Sequence, residues 1–266
     1  MRYGAMNFPI KPLLREIEEI GNLGFDYMEL TMDPPEATPE RIREQKEEIM
    51  MSLDQYKMSL VGHLPTFLST ADLYESLRQA SLREIFAAME AGIELGIKKM
   101  VLHPSFISGL AVFIRDAVKR YALESLHAIY EKARELQIIL CLENLFPQTT
   151  FPAAPDQFGE IFSLFPDLRL TLDTGHAHIG TQRNRAAEFL RKFPDRLSHL
   201  HVSDNFGKED NHLPIGAGTI DFYKILKDLK KIGYDDTLTI EVFSRNRDYL
   251  RIGREKIQEM WSRLDE

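Results

Sequence analysis

Polar side chains that can bind metal ions or move protons recur at one kind of position in this chain, the C-terminal end of a short apolar run. Seven residues occupy such positions: Glu29, His63, His103, Glu143, Asp173, His201 and Glu241. Side chains alternate between faces along a strand, so each polar residue points away from its apolar neighbours, as Glu143 does from Leu142. Buried carboxylates and imidazoles are costly unless they are paired or bound to a metal. The set therefore predicts a functional site.

Four of these residues form the core of a predicted metal site: Glu143, Asp173, His201 and Glu241. Three carboxylates and one imidazole suit Mn²⁺, Mg²⁺, Co²⁺ or Zn²⁺. A second group with ligand chemistry accompanies them: His63, His103, His176, Asp210 and His212. Together they could hold two or three ions around one bridging carboxylate, for which Glu143 is the candidate. A multi-ion site can generate hydroxide and neutralise developing oxyanions, so we predict one to three divalent ions.

The elements that must position these side chains alternate regularly along the chain. Apolar runs typical of strands lie near residues 2–6, 26–31, 58–63, 98–103, 137–143, 168–173, 197–203 and 236–242. Segments with helical periodicity lie at about 11–24, 38–56, 72–97, 112–136, 155–164, 184–193, 221–232 and 248–264. Eight strands alternating with eight helices, without a Pro/Gly/Ser-rich linker, predict an α/β fold, a single (β/α)₈ TIM barrel over residues 1–266.

The barrel prediction also explains where the polar residues lie, because active sites of TIM barrels are built at the C-terminal ends of the strands. An open, doubly wound sheet is the structural alternative. That fold would need a glycine-rich turn after the first strand to bind a nucleotide, and the opening MRYGAMNFPIKP contains none.

The bulk properties restrict partners and compartment. A formal net charge of −8 gives no global basic field, which disfavours nucleic acid or an anionic membrane as partner. No apolar run approaches the length of a membrane span, and no secretory leader precedes the first strand. The single Cys141 permits no internal disulfide and lies in an apolar run, so a reducing compartment and a core position are expected. We predict a cytoplasmic protein, and the sequence leaves a homo-oligomer open.

Several motifs taken together resemble those of the xylose-isomerase-like TIM barrels. The matching segments are LEN at 142–144, DTGH at 173–176, HLHVSD at 199–204, DNHLPIGAG at 210–218 and IE at 240–241. The resemblance spans nearly the whole chain. That superfamily includes sugar and sugar-phosphate isomerases and epimerases, hydroxypyruvate isomerase, inosose dehydratase and the endonuclease IV abasic-site nucleases, so the resemblance is specific for the superfamily and weakly specific for substrate.

The epimerase branch of that superfamily implies one divalent ion held by the four core residues. Glu143 and Glu241 would then exchange a proton with the carbon next to a carbonyl, one on each face, through an enediolate. The substrate would be a small sugar, sugar phosphate or hydroxy-ketone. The segment HLPIGAGTIDF resembles sugar-isomerase-like members and favours this branch.

The endonuclease IV branch implies a three-zinc phosphodiesterase in which the second group joins the core four. All nine matching positions carry suitable ligand types. The stretch NLFPQTT after Glu143 departs from the small, Ala/Gly-rich stretch of that branch, and together with the net charge it favours the isomerase interpretation. A non-catalytic metal-binding barrel is the third alternative.

Substrate contacts are predicted at three further residues. Glu29 could pair with a nearby base or a substrate hydroxyl. Lys208 and Arg245, with Arg247 beside it, follow the seventh and eighth strands, where barrels often bind phosphate. Surface charge is the competing interpretation of these cations. His199 lies one layer deeper than His201 on the same face, which predicts a hydrogen-bonded core histidine.

Overall fold

Eight parallel strands close into a barrel in the computed structural model, which describes residues 1–107, 109–145 and 149–265. The strands are β1 (Arg2–Met6), β2 (Tyr27–Thr31), β3 (Ser59–His63), β4 (Lys99–Leu102), β5 (Ile139–Glu143), β6 (Arg169–Asp173), β7 (Leu197–Val202) and β8 (Thr237–Ile240). Neighbours around the barrel follow chain order, and β1 pairs with β8 to close it, with Ala5 opposite Ile240. The predicted α/β (β/α)₈ fold is confirmed.

Helices cover the outside of the barrel. They are α1 (Leu13–Asn22), α2 (Pro39–Glu44), α3 (Lys46–Tyr56), α4 (Glu75–Glu94), α5 (Arg115–Glu135), α6 (Pro155–Leu164), α7 (Ala186–Lys192), α8 (Phe222–Lys231) and α9 (Asp248–Ser262). The described residues thus form nine α-helices where the sequence predicts eight. The segment 38–56 bends at Gln45, whose φ is −101° and ψ is 7°. The bend lets α2 pack on α4 while α3 packs on α1, which one straight helix could not do.

The barrel interior and the layer outside it are separate apolar cores. Tyr27, Val61 and Val101 fill the interior, while a larger cluster lies between strands and helices. Gly4 is required where the Tyr27 ring crosses the barrel, because a Cβ there would lie 2.2 Å from Cε2 of the ring. Among the described residues, apolar side chains therefore pack the barrel interior beneath the strand ends.

Local signals agree with the elements they predict. The Thr38 hydroxyl accepts a hydrogen bond from the Arg41 amide at the start of α2, and Pro39 occupies the first helical position. Cys141 is buried, and burial raises the pKa of its thiol to about 12, as expected of an unreactive core cysteine. Within the described part of the chain, no helix is long and apolar enough to cross a bilayer.

Candidate metal centre at the barrel mouth

The four core residues converge at the C-terminal ends of β5 to β8. The Nδ1 atom of His201 lies 3.2 Å from Oε2 of Glu241, 3.4 Å from Oε1 of Glu143 and 3.8 Å from Oδ2 of Asp173. All four side chains are buried, Glu143 and Asp173 completely. Strand alternation produces this placement, because Leu142 and Leu172 point outward to the helices while their polar successors point inward.

These ligand-type atoms approach one another without forming hydrogen bonds. Among the described residues, both carboxylate oxygens of Glu143, Oδ2 of Asp173, Nδ1 of His201 and Oε2 of Glu241 have no hydrogen-bond partner. Buried polar atoms are almost always hydrogen-bonded, so such a group needs an explanation. Carboxylate oxygens of Glu143, Asp173 and Glu241 that lie within 3.8 Å of Nδ1 of His201 without pairing suit a shared cation, and the residues therefore fit a divalent ion.

The pKa shifts of the buried groups also favour a bound cation. Burial, together with the nearby carboxylates of Glu241 and Glu143, raises the pKa of Asp173 to about 7. Burial opposes protonation of His201, yet the carboxylates of Glu29, Glu143 and Glu241 raise its pKa well above the usual value. The buried carboxylates thus favour positive charge at this place, which a divalent cation would also supply.

The second group extends the centre on both sides of Glu143. Oε2 of Glu143 lies 3.2 Å from Nε2 of His103 and 3.5 Å from Nε2 of His63, while Oε1 lies 3.0 Å from Nδ1 of His176. Glu143 therefore occupies a bridging position between two sets of imidazoles.

The second group continues on the far side of His176 with Asp210 and His212. Nε2 of His176 is 3.3 Å from Oδ2 of Asp210, and that same oxygen is 2.8 Å from Nε2 of His212. The backbone of His212 has a φ of 44°, a conformation that non-glycine residues adopt rarely and that is found often at functional sites. The nine predicted ligands thus form adjoining clusters, in each of which the ligand atoms lie within 4.8 Å of one another.

Hydrogen bonds orient the imidazoles toward the centre. Nδ1 of His63 pairs with the Leu64 carbonyl at 3.0 Å, which leaves Nε2 facing Glu143. Nδ1 of His176 contacts the Asn144 carbonyl at 3.1 Å, and Nδ1 of His212 contacts the Glu241 carbonyl at 3.2 Å. A partner of this kind on the second ring nitrogen is typical of metal-binding histidines, because it fixes tautomer and ring orientation.

Glu29 lies beneath His201. Its Oε1 is 2.9 Å from Nε2 of His201 and its Oε2 is 2.9 Å from Nε2 of His199. The Thr239 hydroxyl also donates to Oε2 at 2.5 Å. Fully buried and hydrogen-bonded in this way, Glu29 fixes the imidazole of His201 with Nδ1 toward the metal centre. His199 is the buried, hydrogen-bonded histidine that the sequence predicts, with Nδ1 2.7 Å from the Thr237 hydroxyl.

Two polar residues that position the centre were not predicted. Asn144 donates to the backbone carbonyl of Asp173 and accepts from its amide, at 2.9 and 2.8 Å. Asp204 is completely buried and accepts hydrogen bonds from three backbone amides, those of Gly216, Gly218 and Ile220. These bonds hold the loop that carries Asp210 and His212. The Asp at the end of HLHVSD was the available sequence signal for Asp204.

A cavity of about 520 Å³ opens directly above the centre. Glu241, His63, His103, His176, Asp210 and His212 border it. Glu29, Glu143 and Asp173 do not line it among the described residues. Lys208 and Arg245 are exposed and also absent from its lining, so their contact with a substrate stays a prediction. Arg247 is engaged elsewhere, with one guanidinium nitrogen 2.7 Å from the buried Glu16 carboxylate.

Loops after β4 and β5 meet beside the cavity. Ser105 and Phe106 form a short antiparallel pairing with Thr150 and Phe151 that the sequence did not predict. Residues 146–148 of the stretch NLFPQTT, on which the distinction from the nuclease branch depended, lie outside the described residues.

Comparisons with known proteins agree with the barrel fold. A family model described as xylose isomerase-like TIM barrel matches residues 17–263. The chain is 29% identical to the uncharacterized protein MJ1311 of Methanocaldococcus jannaschii, over 97% of this chain and 92% of that one. It is 24% identical to fructoselysine 3-epimerase of Escherichia coli O157:H7, over 90% and 87% of the two chains.

Solved structures include a similar barrel, a D-tagatose 3-epimerase-like protein. It superposes with a TM-score of 0.87 at 27% sequence identity, covering 100% of this chain and 98% of the other. The relatives and structural neighbours that carry an activity in their names include several sugar epimerases.

Proposed function

The chain belongs to the xylose isomerase-like TIM barrel family, as its motifs predict, and from that premise we propose that it is a divalent-metal-dependent epimerase. The reaction would take place at the carbon next to the carbonyl of a small sugar. The observation that carries the proposal is the convergence of unpaired ligand atoms on Glu143, Asp173, His201 and Glu241 beneath an open cavity. Relatives named as 3-epimerases of fructoselysine and D-psicose support it.

Each residue of the set has a distinct place in the proposed reaction. A divalent cation, when bound, would polarise the carbonyl and hydroxyl oxygens and lower the barrier to an enediolate. Glu241 borders the cavity, and the imidazoles of His212 and His201 lower its pKa against the effect of burial. It is therefore ionised at neutral pH and able to accept the proton from the substrate carbon.

Glu143 is the second acid/base candidate, and it lies deeper. Burial opposes its ionisation, but His201 and His103 hold its pKa well below the usual value. It does not line the cavity among the described residues, whereas His103 does, and Oε2 of Glu143 lies 3.2 Å from Nε2 of His103. We propose that Oε2 of Glu143, ionised at rest, takes up and releases a proton during turnover through His103, which faces the substrate side of the site.

Proton exchange on a ketose tests the epimerase proposal. The protein is freed of metal, reloaded separately with Mn²⁺, Co²⁺, Zn²⁺ or Mg²⁺, and incubated with D-fructose or D-psicose in D₂O. We expect metal-dependent deuterium incorporation at carbon 3, followed by NMR, together with the epimeric sugar, and loss of both on chelation. Full metal loading without exchange on any ketose would remove the proposal.

A three-ion phosphodiesterase is the second candidate, and one observation favours it specifically. The outer histidines cluster around carboxylates in groups that could hold an ion, His63 and His103 around Glu143, and His176 and His212 around Asp210. A one-ion epimerase has no need of these two additional clusters. Two or three ions about a bridging carboxylate would instead suit hydrolysis of a phosphodiester.

Metal content and two histidine variants separate these candidates. A phosphodiesterase should give about three ions per chain by mass spectrometry of the zinc-loaded protein, and His103→Ala or His212→Ala should each lower that number, whereas an epimerase should give one. If the protein is an epimerase, His212→Ala should keep deuterium exchange within about tenfold of the unchanged chain. His103→Ala should lose formation of the epimer, because it removes the proposed proton path from Glu143. If it is a phosphodiesterase, both should lose hydrolysis of bis(p-nitrophenyl) phosphate by at least about a hundredfold. His127→Ala, at an exposed histidine of α5, is the matched control.

A further inference from the structure

We infer that the sugar bound at this site carries an apolar alkyl or aryl substituent and no phosphate, an inference that rests on the proposed epimerase function. The metal centre would bind the carbonyl end of the substrate, so the rest of the molecule must lie against the upper walls of the cavity. Those walls determine which substituent is accepted. At about 520 Å³ the cavity falls among sites for drug-sized ligands and exceeds the needs of an unsubstituted hexose.

The upper walls are apolar and partly uncovered. They include six aromatic or aliphatic side chains from the loops after the strands: Phe8, Ile10, Phe67, Leu68, Phe106 and Phe243. Phe67 is 84% exposed and Ile10 is 64% exposed, which is costly for large apolar side chains grouped at one opening. An apolar substituent would cover them and gain the free energy of removing this surface from water.

The apolar wall is built onto the metal centre. The ring of Phe243 lies 4.7 Å from the imidazole of His212 and 5.6 Å from the ring of Phe8, between ring centroids. The amide of Phe8 donates to the buried Glu16 carboxylate at 2.7 Å, which fixes the loop after β1. A sugar held at the centre would therefore extend along a positioned aromatic surface.

The upper walls of the cavity offer a phosphate substituent no positively charged side chain among the described residues. Among the described residues that line it there is no lysine or arginine, and its carboxylates include Asp33 as well as Asp210 and Glu241. Asp33 is held by the Thr66 amide and hydroxyl at 3.0 and 2.9 Å. A phosphate substituent would add like charge beside these groups and lose its hydration without replacement.

The loops in which barrels usually bind phosphate are also occupied. Such sites use backbone amides and cations after the seventh and eighth strands. Here the carboxylate of Asp204 accepts from the amides of Gly216 and Gly218, both at 2.9 Å. A Cβ at Gly218 would lie 2.4 Å from Oδ1 of Asp204, which shows how closely the turn encloses this carboxylate. Arg247 of the eighth loop is paired with Glu16.

Calorimetric titration of the metal-loaded protein tests the inference with matched probes: D-fructose, its 1- and 6-phosphates, and its 1-O- and 6-O-benzyl ethers. At least one benzyl ether should bind about tenfold or more tightly than D-fructose, as expected for a buried ring. Neither phosphate should have a higher kcat/KM for deuterium exchange than D-fructose. A phosphate with a higher kcat/KM than both benzyl ethers would overturn the inference.

Two arginine variants test whether the apolar wall causes the preference for a benzyl ether. Phe67→Arg places a cation at the cavity mouth and should reduce the benzyl preference at least about fivefold while improving kcat/KM for a phosphate. Phe113→Arg is the matched control, because Phe113 is 81% exposed and lies outside the cavity lining. It should leave the benzyl preference and the kcat/KM for the phosphate unchanged. An unaltered preference in Phe67→Arg would contradict the inference.

Exchange on D-fructose without a benzyl preference would remove this inference alone, and benzyl binding without exchange would remove the epimerase function alone.

Discussion

Replacing Glu143 with glutamine is expected to lower turnover by at least about a thousandfold and to reduce the number of bound ions. Glu143 contributes one oxygen to the group around His201 and the other to the group around His63 and His103. A neutral amide keeps the shape of the side chain but removes the charge that both groups share. Deuterium exchange at carbon 3 and metal content by mass spectrometry measure the two effects.

Folding must be checked separately, because Glu143 is completely buried. Metal-free Glu143→Gln should still unfold in one cooperative transition, with a thermal midpoint below that of the unchanged metal-free protein. The amide loses the attraction of His201 and His103 that holds the pKa of Glu143 low, and this attraction stabilises the fold at neutral pH. Glu135→Gln, whose side chain is 67% exposed on α5, is the matched control and should keep full activity and metal content. A Glu143→Gln protein that retains all its ions would show that Glu143 is not the bridging ligand.

The barrel could be predicted from the sequence because its signals are local. Strands such as β5 and β6 are short apolar runs, each ending in one inward-facing carboxylate, and helices such as α5 have clear periodicity. The bend at Gln45 was missed because it depends on which helices α2 and α3 contact, and that is decided by tertiary packing. Local pattern carries no information of this kind.

In the candidate site, too, some residues follow from local pattern and others depend on tertiary contacts. The side chains at strand ends follow from alternation, so Glu143, Asp173, His201 and Glu241 could be named, and the structure brings them together. The contact of Glu29 with His201 joins β2 to β7 across the barrel, and no sequence spacing encodes it. Asp204 was missed for another reason: its partners are backbone amides, which any sequence supplies.

Burial assigns different positions to the two glutamates that the sequence treats alike. Glu143 lies below the cavity and contacts four imidazoles, while Glu241 borders the cavity and contacts two. Ligand binding should therefore depend more on Glu143, and proton transfer at the substrate carbon more on Glu241. This difference can be measured, because metal content and turnover are independent readouts.

Glu241→Gln is accordingly expected to lower turnover by at least about a hundredfold while the ion at the core set is retained. Glu143, Asp173 and His201 still supply a ligand set in this variant, whereas an amide cannot accept the substrate proton. Deuterium exchange at carbon 3 should fall in parallel with formation of the epimer, since both require removal of the same proton. Metal content should match that of the unchanged protein.

The outcomes that would contradict this assignment are distinct. Full turnover in Glu241→Gln would remove Glu241 as the base. Loss of the core ion together with activity would make Glu241 primarily a ligand, and its Oε2, 3.2 Å from Nδ1 of His201, is close enough for that role. Glu241→Asp separates the cases, because it keeps the charge but draws the carboxylate back from the cavity. It should hold the ion and recover only part of the turnover if Glu241 moves the proton.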